Sequence, residues 1–226
     1  MTQAIINCTH VTCGAIRPGF DVWSTVRGAS AGTAYDSIFR ADNQWSTGDK
    51  YYLLRGGVQF DTSVIPSGAL VSAANLRFPA GCSVVNNTSS MSFVLLSGMP
   101  TYPSNPVVYA DFALSKYPDT VLRYSFTGMV WDSGNGWYEY DTSSSADAFY
   151  LTTTAQLAYI QKGAGAVTKF CLVTAYDADN TPPGGAVTNQ HYFKSKGLIN
   201  NDGVQLVVDY VLSPQVVRTD KPSSIS

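Results

Sequence analysis

The sequence predicts an all-β fold, a jelly-roll-like antiparallel β-sandwich of about ten strands with one short helix, and three observations carry that prediction. Charged residues make up only 13% of the chain while aromatics reach 12%, with 14 tyrosines, a composition suited to pleated, half-buried surfaces. Glu139 is the only glutamate among the 226 residues, so the Glu–Lys pairs that support exposed helices are missing. Several segments alternate apolar and polar residues with period two, bounded by clusters of Gly, Pro, Asn and Ser. One core is enough for a sandwich of this length. The organisation read from the sequence is an N-terminal arm at 1–19, the sandwich at 20–211 and a polar C-terminal tail at 212–226.

Phe20 to Val26 and Ala34 to Arg40 are the first, less regular strand candidates. Tyr52 to Phe60 is clearer, with Tyr52, Leu54, Val58 and Phe60 set inward and Arg55 and Gln59 pointing the other way. Ala74, Leu76 and Phe78 then alternate with Asn75 and Arg77. Met91 to Leu96, Val121 to Phe126, Trp137 to Asp141, Thr168 to Ala175 and His191 to Lys196 follow, and Val204, Leu206, Val208 and Tyr210 alternate with Gln205 and Asp209. Turn signals separate them at Ile65 to Gly68, Pro100 to Pro106, Ser133 to Gly136 and Asn180 to Gly185. The capping-box spacing of Thr153 and Gln156, the shared face of Leu157 and Ile160, and Gly163 beyond predict a helix over Thr154 to Lys162. A further helical turn is expected within Ala110 to Lys116. There is no internal repeat.

Charge narrows the partners. A net charge of −2 with no basic run gives no electrostatic drive toward a phosphate backbone, so nucleic acid is not an expected partner. No stretch approaches the ~20 apolar residues of a membrane-spanning helix. The opening Met1-Thr2-Gln3-Ala4 lacks the basic and apolar regions of a secretory signal, and the expectation is a soluble chain without an export address.

Signals for chemistry are sparse. Cys82 and Cys171 read as core thiols, while Cys8-Thr9-His10-Val11-Thr12-Cys13 has the spacing of a small disulfide loop or of three of four metal ligands. No later Cys-x-x-Cys or His-x-x-x-His supplies the missing ligand, which counts against the metal. His10 and His191 are the only histidines, and neither lies in a hydrolase, metalloprotease or nucleotide motif. A carboxylate pair could still serve a polysaccharide-cleaving enzyme, but aspartate is so frequent that such pairs arise by chance, and a non-enzymatic role is expected. Asp177, Asp179 and Asn180 offer oxygen ligands of the kind calcium takes. The competing reading is an Asx-rich turn feeding Pro182-Pro183, and no cofactor is expected. Trp45, Trp131 and Trp137 are the candidate sugar-stacking residues, placed by the sequence in or beside loops, with core or interface packing as the alternative. Trp23 reads as core.

The segment Arg55-Gly56-Gly57-Val58-Gln59-Phe60-Asp61, the Ile65-Pro66 turn and Ser72-Ala73-Ala74-Asn75-Leu76 resemble the signature of the DNRLRE-type β-sandwich family. Lys169 to Leu172, the loop Asp177 to Gly185, Phe193 to Lys196 and Gln205 to Tyr210 are similar to that family's closing strands, in order. On one strand, Arg55 and Asp61 are too far apart to touch, so each needs another partner. Relatives of this kind occur beside polysaccharide-active domains, some binding glycans, and as stand-alone bacteriophage chains. The resemblance to the latter implies a virion structural protein, a capsid-decoration or tail-associated subunit at the virion surface. It would form homo-oligomers and contact other assembly proteins through its arm and tail, with adhesion to a cell-surface glycan as a further role. The alternative it implies is an extracellular carbohydrate-binding module or adhesin.

Overall fold

A computed structural model describes residues 1–15, 22–29, 33–36, 39–46, 50–104, 108–183, 190–196 and 203–212, with side chains at 10–15, 33–36, 43–46, 50, 109 and 190 left aside. The described strands are β1 (Thr2–Ala15), β2 (Thr33–Asp36), β3 (Arg40–Ser46), β4 (Lys50–Asp61), β5 (Ala69–Phe78), β6 (Cys82–Asn86) and β7 (Met91–Ser97). They continue with β8 (Asp119–Phe126), β9 (Val130–Asp132), β10 (Trp137–Asp141), β11 (Ala146–Leu151), β12 (Val167–Thr174), β13 (Gln190–Ser195) and β14 (Gln205–Leu212). Three short helices, α1 (Trp23–Arg27), α2 (Thr154–Leu157) and α3 (Ala175–Ala178), and two 3₁₀ turns at Tyr109–Phe112 and Leu114–Lys116 complete the described elements.

Every described strand pair is antiparallel, and the all-β, sandwich-like fold expected from the composition is the fold observed. One sheet runs β11-β5-β14-β1. At an irregularity between Cys8 and His10, β1 changes partners and pairs with β4 and β2. From β4 a second sheet continues through β12 and β7 to β8. The first residues of β4 belong to a third, β4-β3-β13-β6-β10-β9. Thus β1 and β4 are each shared between sheets. Where β4 changes sheet the backbones are close, and a Cβ on Gly56 would come within 2.7 Å of the Arg40 carbonyl oxygen, an approach that only glycine permits.

The core between the sheets is aromatic. Phe193 sits at its middle, with ring centroids of Phe78 at 5.0 Å, Phe149 at 5.5 Å, Phe126 at 5.7 Å, Phe93 at 5.8 Å and Phe39 at 6.1 Å. Four of these five contacts are edge-to-face, the arrangement ring quadrupoles prefer. Two smaller clusters lie outside the main core: Trp23, Val26, Leu53 and Phe112, and then Val94, Leu96, Tyr117, Cys171 and Val173.

Several expectations are corrected. Thr2–Ala15, assigned by sequence to an arm, is a strand of the sandwich, with Thr2 opposite Tyr210; the neighbouring Ile5 and Ile6 hid an alternation in which Ile6 and Cys8 point inward. Trp23–Arg27 is helical because Trp23 and Val26, three apart, share the face that packs on Leu53 and Phe112. β4 is buried on both faces, Arg55 and Gln59 included, because helices and turns cover its second side. The capping box of α2 forms as read, Thr153 Oγ1 accepting from the Gln156 N–H at 3.3 Å and Gln156 Oε1 from the Thr153 N–H at 3.1 Å. The α-helix stops at Leu157, since i→i+3 bonds from Tyr159 and Ile160 tighten the chain and bury Ile160. Gly163 follows with φ of +94°. The predicted tail overlaps β14 at Leu212, and 213–226 lie outside the described residues.

Candidate functional site

The second face of β4 holds a buried ion pair. Arg55 donates through Nε to Asp177 Oδ2 at 2.7 Å and through Nη2 to Oδ1 at 2.9 Å, with the two side chains 1% and 0% exposed. Its other donors reach the carbonyl oxygens of Phe112 at 2.5 Å and Arg27 at 2.9 Å. Its guanidinium lies 4.4 Å from the Phe112 ring centroid. Arg27 closes the group, Nε donating to the Asp177 carbonyl oxygen at 2.7 Å. Six groups therefore satisfy one another and tie β4, α1, α3 and the 109–112 turn together. Asp177 is the partner that Arg55 needed, while Asp61 caps its own turn by accepting from the Ser63 N–H at 3.0 Å.

The carboxylates named in the calcium reading are engaged by arginines. Both Asp177 oxygens face Arg55, Asp179 pairs with exposed Arg123 at 2.5 and 3.0 Å, and Asn180 ends the turn at φ of +55°. Among the described residues no cluster of three or more His, Cys, Asp or Glu side chains could hold a metal. Cys8 is buried in the core; the side chains of Cys13 and His10 lie outside those described, and with them the disulfide reading of Cys8 and Cys13. Cys82 and Cys171 are buried, and burial pushes the Cys82 thiol up to about 11.

His191 is fully buried, its ring 4.8 Å from that of Tyr176. Asn86 Nδ2 donates to Thr88 Oγ1 and the Ser90 carbonyl, so its Oδ1 accepts, and His191 Nδ1 carries the proton donated to it. Nε2 has no hydrogen-bond partner among the described residues. Burial lowers the histidine to about 4 from 6.5, leaving a neutral ring without solvent access. Asp42 on β3 shows the opposite shift. Burial raises it to about 6 from 3.8, opposed by Arg40, whose Nη2 lies 2.5 Å from Oδ2.

These two shifts predict a compensation in the response to pH. Between pH 6.5 and 4 the unfolded chain protonates His191 and the folded chain does not, so this residue removes about 3 kcal/mol of stability as pH falls. Between pH 3.8 and 6 the folded chain keeps the Asp42 proton that the unfolded chain releases, so Asp42 removes about 3 kcal/mol as pH rises. The two contributions oppose each other from pH 4 to 6. Relative to the parent chain, Asp42→Asn should lose stability on acidification from pH 6 to 4, and His191→Gln should gain it, each read from urea midpoints at both values. Parallel profiles for all three proteins would refute the compensation.

The three tryptophans read as sugar-stacking candidates belong to strands, not loops. Trp45 lies on β3 opposite Tyr51, and its side chain is not described. Trp131 pairs with Tyr138 while Trp137 pairs with Asp132. Direct partners share a face and neighbours on a strand alternate, so Trp131 and Trp137 point to opposite sides and cannot form one platform. Trp137 is half-buried with its indole N–H enclosed, whereas Trp131 is 52% exposed beside Val130 at 72%. The Trp131 ring lies 5.1 Å from that of Tyr138, edge-to-face.

Register reveals what the sequence did not. Leu54, Asp42, Tyr192, Val85, Glu139 and Val130 form one row of direct partners across the third sheet. At β9, the last of the described strands in that sheet, the row meets a cleft of about 250 Å³ lined by Val130, Trp131, Asp132, Glu139 and Asp141. Each carboxylate there is held: Asp132 by the Gly134 N–H at 2.8 Å and Asn135 Nδ2 at 2.6 Å, Glu139 by Ser83 Oγ at 3.3 Å, and Asp141 by Lys196. A second cleft of about 400 Å³, lined by Arg27 to Ala29 and Ala113 to Ser115, presents mainly small and apolar side chains. Glu139, the lone glutamate, is the sequence signal that could have marked the first cleft. A scan against protein-family models, a search of curated proteins and a search of solved structures each found no match to this chain.

Proposed function

We propose that this chain is a non-enzymatic structural protein of a virion or comparable assembly, working through contacts made by its surface. The observation that carries the reading is the use of its ionisable groups. Arg55 and Asp177 are locked together in the interior, His191 is buried and neutral, and Asp42 is covered. The carboxylates at the acidic cleft beside β9 are engaged by neighbouring donors. The resemblance of residues 55–76 and of the closing strands to stand-alone phage sandwiches points the same way. The exposed edge at Val130 and Trp131 and the outward Ile5, Leu70 and Val211 give the sandwich apolar contact surface.

Sedimentation of the purified chain, together with assay of reducing ends released from a polysaccharide panel, tests the reading. Expected are a defined oligomer above the 24.3 kDa monomer and no turnover. A monomer at every concentration, or measurable cleavage, would remove it.

A further inference from the structure

We propose that Asn135-Gly136, in the turn between β9 and β10, is a latent deamidation site that Asp132 holds shut, and that it converts irreversibly to aspartate and isoaspartate once that hairpin opens. This goes beyond the assembly reading, which is judged by particle mass and would survive its failure. Asn135-Gly136 is the one Asn-Gly step in the sequence. In the reaction the Gly136 backbone nitrogen gives up its proton and attacks Asn135 Cγ; the Cγ–Nδ2 bond breaks, ammonia leaves and a cyclic succinimide closes. Water then opens the ring at either carbonyl, so the whole change consumes one water and releases one ammonia. Glycine makes the step easy, having no Cβ to hinder the approach. The turn cannot readily exchange it for a bulkier residue, because Gly136 sits at φ of +75°.

The folded turn occupies each group that the reaction needs. The Gly136 N–H, the nucleophile, donates to the Asp132 carbonyl oxygen at 2.8 Å. Asn135 Nδ2, the leaving group, donates to Asp132 Oδ2 at 2.6 Å. The other carboxylate oxygen accepts from the N–H groups of Gly134 at 2.8 Å and Asn135 at 3.3 Å, which fixes the Asn135 backbone as well. The bonds from Asn135 and Gly134 hold the Asp132 carboxyl below its usual range, so the stronger, charged acceptor is in place at neutral pH. Asn135 itself is exposed. Water is therefore at hand, and protection rests on restraint rather than burial. An aspartate at 135 would have no Nδ2 to donate and would face Asp132 with like charge, while an isoaspartate would add a carbon to the backbone. Either product loosens the hairpin that carries the exposed Val130 and Trp131.

The test incubates the full chain at neutral pH, folded in buffer and unfolded in guanidinium chloride, and follows Asn135 by peptide mapping with mass spectrometry and by enzymatic methylation of isoaspartate. Expected in the folded parent is deamidation at least about tenfold slower than in the unfolded chain. Asp132→Ala, shown to be folded by circular dichroism, should deamidate at least about tenfold faster than the folded parent. Trp131→Ala removes the ring against Tyr138 but leaves the carboxylate, and should keep the parent's slow rate. Should Asp132→Ala unfold, Asp132→Asn decides in its place, its neutral side chain being the weaker acceptor and its rate expected above the parent's. Equal rates in the folded and unfolded parent, a folded Asp132 variant as slow as the parent, or an equal acceleration in folded Trp131→Ala would each overturn the proposal.

Discussion

Asp177→Ala should destabilise the protein by about 3–5 kcal/mol, since it leaves the Arg55 guanidinium buried without a counter-ion. Few single substitutions reach that size. The reason is asymmetry: the pair itself adds little once the desolvation of two ions is counted, but half of it is costly to keep. The double variant Arg55→Met/Asp177→Leu should therefore recover most of the loss, packing apolar volume among Phe112, Leu53 and Trp23. A double-mutant cycle measured by urea denaturation would show a coupling of about 2 kcal/mol or more. A single-variant loss under about 1 kcal/mol would mean that water reaches the pair. Hydrogen exchange adds a second readout: with the tie gone, the backbone bonds of α1 and of the 109–112 turn should open more often than those of β4.

Phe193→Ala should cost about as much, roughly 3–5 kcal/mol, by a different route. Five phenylalanine rings approach that of Phe193 within 6.1 Å. They come from β5, β7, β8, β11 and the residue before β3, so no single shift can fill the space left behind. Phe193→Leu, which keeps most of the volume, should cost about 1.5 kcal/mol or less. If the alanine variant lost no more than the leucine variant, the rings would be able to collapse and the core would be softer than its packing implies. Against a typical total of about 5–15 kcal/mol, the alanine change threatens folding at physiological temperature.

The fold was legible where burial is one-sided. β5 over Ala74 to Phe78 alternates between core and a half-exposed face, β14 turns Leu206, Val208 and Tyr210 to the core, and both sit where the sequence places them. Legibility failed where a strand is buried twice or a helix is a single turn. β4 carries Arg55 and Gln59 inside because short helices cover its outer side, and their own pattern is too brief to register as helical. The first strand was hidden because its partner is the last, and no local pattern reports such a pairing. The candidate site was half legible. Trp131 stood out by type, but only register separates it from Trp137 and shows that Asp132, Glu139 and Asp141 share the face of Trp137 instead.

The pairing of Thr2 with Tyr210 also sets a clock on biosynthesis. At the usual ~5–20 residues per second, roughly 10–40 s separate the synthesis of β1 from that of β14. Until then the first sheet lacks its central strand, and one edge of β1 waits unpaired. Completion of this sheet thus waits for the most C-terminal of its described strands. A nascent chain truncated before 205 should be the species most prone to aggregate and most dependent on chaperones.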